Sequence, residues 1–159
     1  MRGKKLVILL FFCALPILSH GQNVTIFYFG ESSCNYCNDP NFIKSIKKLK
    51  AKFNVFHKEL DAKFVMVSMD KNISEGLKFV KKYGDYWDEI SIGSFYYNEL
   101  ALANLNKLAT PGVPHILIYK VFYKNAGYGT KLIAKKKLLK NLVGASSIIK
   151  WANSEMKLE

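Results

Sequence analysis

Along the chain the apolar positions change period several times, and each change marks an element. Residues 23–30, NVTIFYFG, are β-branched and aromatic and end at Gly30, the profile of a buried strand. From Pro40 onward Phe42, Ile43, Ile46, Leu49 and Phe53 recur at helical spacing, with Lys44, Lys47, Lys48 and Lys50 between them. Asp39 and Pro40 suit the start of that helix, because Asp accepts from free amides and Pro gives up an N–H that needs no partner. Residues 63–70, KFVMVSMD, read as a second strand, and the intervening helix makes a parallel βαβ unit. Asn72 is placed to cap a helix through Tyr83, with Ile73, Leu77 and Val80 inward and Gly84 at its stop. A further helical pattern, about residues 96–108, puts Tyr97, Leu100, Ala101, Leu105 and Leu108 on one face. DYWDEISIGSF before it reads as a loop. Residues 109–123 give a turn and a long strand, and NAGYG marks a hairpin into residues 130–137, whose Lys135, Lys136 and Lys137 suit an edge. A last helix near residues 146–156 presents Ile148, Ile149, Trp151 and Ala152. The order predicts an α/β sandwich: a mixed sheet of about four strands with helices on both faces.

The first 21 residues fall outside this pattern. Arg2, Lys4 and Lys5 precede the apolar run Leu6–Leu18, and Ser19-His20-Gly21 follows, the three-part form of a secretory leader. The run contains Pro16 and is shorter than the roughly 20 residues a spanning helix needs. The expectation is a signal peptide over 1–21 and one domain over 22–159, exported to a periplasm or the exterior, with membrane tethering if the leader is not cleaved. Cys13 reads as part of the leader. Without these residues the chain keeps 21 Lys, no Arg and 12 acidic residues, near +9. That balance points to a solvated lysine surface, an anionic membrane surface or acidic partners rather than nucleic acid. A monomer is expected.

The domain then owns two cysteines, Cys34 and Cys37, at the end of the first strand. In a first helical turn this spacing brings both sulfurs within bonding reach. The end nearest the free amides stabilises a thiolate, which makes Cys34 the nucleophile and Cys37 the resolving thiol. A structural staple is the weaker reading, because a bridge closing so few residues removes little chain entropy. A metal site has only His57 and His115 to add, which are far apart in sequence for a zinc pair. His57 reads as a surface position and His115 as a strand residue. Glu31 reads as a loop carboxylate. Trp87 with Phe95, Tyr96 and Tyr97 reads as core filling.

The CxxC at the mouth of the first strand, with TPGVPHILIY opening a later one, resembles the thioredoxin fold. The stretch Phe64–Tyr119, with its VSMD strand end, FVKKYG helix and Trp87, is most similar to the TlpA and tryparedoxin-like thiol-disulfide oxidoreductases. The chain departs from that pattern at Ser33, where Trp is usual, and at Tyr28, where the family has a buried acid. Pro40 comes two residues early, and Asn35-Tyr36 is similar to the pair in disulfide isomerases. The resemblance implies a three-layer sandwich and exchange with protein thiols or disulfides, while the departures at Ser33, Tyr28 and Asn35-Tyr36 leave the direction of electron flow open, reduction being slightly favoured. It also implies a redox donor or acceptor protein, free or at the membrane, and no organic cofactor. It assigns a cis bond to Val113-Pro114, making Val113 and Pro114 substrate-binding, with Tyr36 as an exposed contact surface. Two other readings stay open: a copper chaperone using Cys34, Cys37 and His115, and an interaction module with an inert disulfide.

Overall fold

A computed structural model describes residues 22–93 and 97–158. The leader, Phe95 and Tyr96 lie outside the described residues. Five strands form one sheet in the order β3-β2-β1-β4-β5. β1 (Gln22–Gly30) pairs in parallel with β2 (Leu60–Ser68) and antiparallel with β4 (His115–Asn125). β5 (Lys131–Val143) pairs antiparallel with β4 and occupies the edge, as its lysines predict. The fifth strand is β3 (Glu89–Ile92), parallel to β2, in the stretch read from sequence as a loop. Its four residues are too few to show a period, and its pairing partner, not its own pattern, makes it a strand. The expected count of about four is therefore corrected to five.

Strand alternation divides the interior into two cores. Val24, Ile26 and Tyr28 face one side with Phe64, Met66, Ile116 and Ile118. Phe29 faces the other with Val65, Val67, Leu117 and Tyr119. The first core is covered by α1 (Pro40–Phe56), α2 (Ile73–Lys81) and α4 (Ala145–Ala152), which contribute Phe42, Ile46, Phe53, Phe79, Val80, Ile148 and Trp151. The second is covered by α3 (Glu99–Asn104) and the 3-10 turn after it, through Ala101 and Leu105. This is the expected sandwich, with helices on both faces of the sheet.

The helix starts follow local chemistry. Asp39 accepts from Phe42 N–H at 2.8 Å, and Asn72 accepts from Glu75 N–H at 2.9 Å. Gly84, at φ +83°, ends the segment after α2. The inward face of α2 differs in part from the expectation. Val80 is buried as expected, and Gly76 and Phe79 with it, whereas Ile73 and Leu77 are exposed. The reason is close approach: a side chain at Gly76 would collide with Ile92 and Ser68, so the helix rests on its glycine. Tyr97, expected in the core, is 81% exposed, because α3 begins only after Asn98, whose side chain caps it. β5 extends six residues past the expected Lys137.

Candidate functional site

β1 ends at Gly30, and the next seven residues carry both cysteines. Cys34 and Cys37 are joined in a disulfide with their Cα atoms 5.2 Å apart. Cys37 is fully buried and Cys34 is 8% exposed, so only Cys34 reaches the surface. The Cys37 amide points at Cys34 Sγ, 3.0 Å away. This replaces the expected helix-end effect. Only a three-residue 3-10 turn, Tyr36–Asn38, follows Cys34, and α1 does not begin until Pro40. Pro40 has no N–H to continue the hydrogen bonds of the 3-10 turn, and Asp39 is extended at ψ 126°. The favourable contact at Cys34 is thus one backbone donor, not the dipole of a long helix.

Three side chains that sequence reading missed hold this loop. Asp70, buried at the end of β2, accepts from Ser32 N–H at 2.9 Å, from the Ser32 hydroxyl, and from the Ser68 hydroxyl at 2.7 Å. Asn38 donates to the carbonyls of Ser32 and Cys34, each at 2.8 Å, and accepts from Lys82 Nζ at 2.6 Å. Tyr83 donates to the Cys37 carbonyl at 2.6 Å, and its hydroxyl also lies 2.6 Å from that of Tyr28. Tyr28 stacks on Trp87, which confirms Trp87 as a core residue. Burial first, then the neighbouring Tyr83, pushes the Tyr28 phenol well above its usual range, and burial raises Tyr83 as well. Both phenols stay neutral, so this pair positions the Cys37 backbone and supplies no base.

The start of β4 lies beside the end of β1, with Phe29 opposite His115. The Val113-Pro114 bond just before it is cis, as the resemblance implies. Val113 packs against both cores, Cys34 and Cys37 belonging to the first. The Pro114 carbonyl accepts from Gly144 N–H at 2.8 Å, which fixes this turn to the start of α4. An apolar cavity of about 410 Å³ opens here between Met69, Leu105, Pro111 and Val113, with Glu31 on its wall. Tyr36 is 69% exposed on the cysteine turn. Glu31 accepts from the Ser33 hydroxyl at 2.9 Å at the surface.

His115 is not brought to the sulfurs. Its ring meets Phe29 on the side of the second core, and Nδ1 and Nε2 bond to the Gly112 carbonyl and the Asn141 side chain. His57 caps the end of α1, where Nε2 lies 3.0 Å from the Met156 carbonyl. Among the described residues no group of three or more His, Cys, Asp or Glu is placed to hold a metal ion. Burial lowers the pKa of His115 from 6.5 against the opposing pull of its two hydrogen bonds. The unfolded chain then binds a proton near 6.5 and the folded protein only at lower pH. The stability tied to His115 is therefore complete above pH 6.5 and is lost as pH falls toward the folded value. Urea midpoints across this range should decline more steeply for the wild type than for His115→Gln. Parallel curves would show that His115 carries no such linkage.

No family model matches the sequence, and no match is found among curated proteins. Solved structures do match. A thioredoxin-like protein from Bacteroides caccae aligns with a TM-score of 0.50 and 11% identity over 83% of this chain. The chain spans 40% of that structure's length. The thioredoxin domain of a thiol-disulfide oxidoreductase from Bacteroides vulgatus gives 0.44 and 18% identity, over 84% of this chain and 81% of its own. A thioredoxin from Wuchereria bancrofti gives 0.46 and 21%, over 71% and 67%. At these identities the likeness is one of fold. The protein has a thioredoxin-like fold with a Cys34–Cys37 disulfide beyond the first strand.

Proposed function

We propose that this protein is an exported thiol-disulfide oxidoreductase that exchanges disulfides with protein substrates, Cys34 attacking and Cys37 resolving. The observation that carries the reading is the asymmetry of the pair: Cys34 alone reaches the surface, and its sulfur faces the Cys37 amide. A donor aimed at sulfur favours the thiolate over the thiol. In the reducing direction the Cys34 thiolate attacks one sulfur of a substrate disulfide. That bond breaks, a mixed disulfide forms, and the first substrate sulfur leaves as a thiolate that takes a proton. Cys37 then attacks Cys34 Sγ, giving its proton to the second departing sulfur. The substrate gains two electrons and two protons, and the Cys34–Cys37 disulfide remains for a redox partner to reduce.

Tyr36, Val113 and Pro114 form the substrate surface in this reading. An extended segment would lie along Val113, with an apolar side chain in the cavity bounded by Met69, Leu105 and Pro111. The copper reading lacks its third ligand, since His115 faces the second core. Insulin reduction with a small-thiol donor tests the proposal. The wild type should accelerate it, and Cys34→Ser should abolish the acceleration. Equal rates for the two would reject the enzyme and favour an interaction module.

A further inference from the structure

Strands β4 and β5 continue past the rest of the sheet. β1 last pairs with β4 at Val24 opposite Lys120, whereas β4 and β5 pair with each other out to Asn125 opposite Lys131. Every residue from Phe122 to Leu138 is exposed. At about 3.3 Å per residue the tip stands roughly 17 Å beyond the last β1 partner. The arm carries exposed Phe122, Tyr123, Leu132 and Ile133. At its turn Tyr128 is fully exposed between Gly127 at φ +88° and Gly129 at φ +75°. A soluble surface gains nothing from this concentration of apolar side chains on a projection.

Charge narrows the partner. Between Glu99 and Glu155 the sequence has nine lysines and no acidic residue. The register places Lys120 opposite Lys137 and Phe122 opposite Lys135, so a ring is flanked by cations. The apolar residues lie on both faces of the arm: Phe122 and Leu132 on one, and the Tyr123–Ile133 pair on the other. A protein groove would bury one face. A lipid interface surrounds a tip, taking uncharged side chains inward while lysine stems reach back to headgroups. The position agrees. β4 runs antiparallel to β1, so the arm leaves the sheet at the end where Gln22 begins, and the 21 preceding residues join the fold there. The cysteines lie at the opposite end of β1.

We propose that the β4–β5 arm docks on a bilayer surface that carries anionic phospholipid, holding the cysteine pair away from the membrane. The test is sedimentation of the full chain with vesicles of phosphatidylglycerol and phosphatidylcholine, or of phosphatidylcholine alone. Residues 1–21 then contribute equally to every variant. The wild type should bind the anionic vesicles and release as salt rises. Reversing Lys124, Lys131 and Lys135 to Glu together should weaken binding at least about tenfold, since each lysine near the surface adds severalfold. Tyr128→Asn, which keeps the turn conformation, should weaken it about threefold. Reversing Lys44, Lys47 and Lys48 on α1 makes the same change in net charge and should leave binding within about twofold. Equal losses from the arm and α1 reversals would overturn the proposal. So would an unaffected arm variant, or a wild type that binds polyglutamate but not vesicles.

Discussion

Cys37→Ser is expected to accumulate as a covalent adduct with substrate. Without the resolving sulfur the reaction stops after the first displacement, so Cys34 stays bonded to the substrate cysteine. Non-reducing gels and intact mass should show one substrate per chain, released by small thiols. Turnover should fall by on the order of 10³ or more, as it does when a covalent catalyst loses a reacting group. The double variant with Cys34→Ser should form no adduct, because neither sulfur of the pair remains, and Cys34→Ser alone should form none because Cys37 is fully buried. An adduct on Cys37 in the single variant Cys34→Ser would reverse the assigned roles.

Asp70→Ala is expected to lower stability by about 3 kcal/mol, because it leaves three donors without their shared acceptor in a largely buried place. The donors are the Ser32 N–H, the Ser32 hydroxyl and the Ser68 hydroxyl. They tie the loop before Cys34 to the end of β2, so the loss should also slow exchange. Urea unfolding of the oxidised protein measures the first effect and insulin reduction the second. A stability change under about 0.5 kcal/mol, the range of ordinary surface substitutions, would show that Asp70 does not secure the loop.

The sequence was most readable where the cause is local. Asp39 and Asn72 announce their helices because a capping side chain bonds a few residues ahead. The strand residues of β1 announce burial on both sides because both faces are covered, which leaves no polar alternation. Readability ended where the partner lies far along the chain. Tyr28 and Tyr83 meet across 55 residues, and Asp70 meets Ser32 across 38. No spacing rule reports such pairs. The tyrosines in particular look like ordinary core residues until the fold joins their hydroxyls and brings that of Tyr83 to the Cys37 carbonyl.

Two misreadings have separate causes. Ile73 and Leu77 satisfy a helical period with Val80, which is buried as expected, but a one-residue glycine contact turned α2 so that Gly76 and Phe79 face inward in their place. The expected helix-end activation of Cys34 needs a helical turn that starts at the cysteines, whereas the sequence also offers a start at Asp39-Pro40. The helix starts at Pro40, and the single Cys37 amide takes over. The placement of His115 was available from strand alternation alone, since it shares parity with Leu117 and Tyr119 and not with Ile116. A histidine on that face packs against the second core, away from both cysteines.

Whether the two sulfurs form a working couple rather than a staple is read by equilibrating the protein against defined thiol and disulfide buffers and counting free thiols by mass. A working couple gives a single two-electron transition with a reduction potential between about −270 and −120 mV, the span of thiol-disulfide exchange proteins. A disulfide that stays closed in buffers below about −300 mV, as structural bridges do, would contradict it.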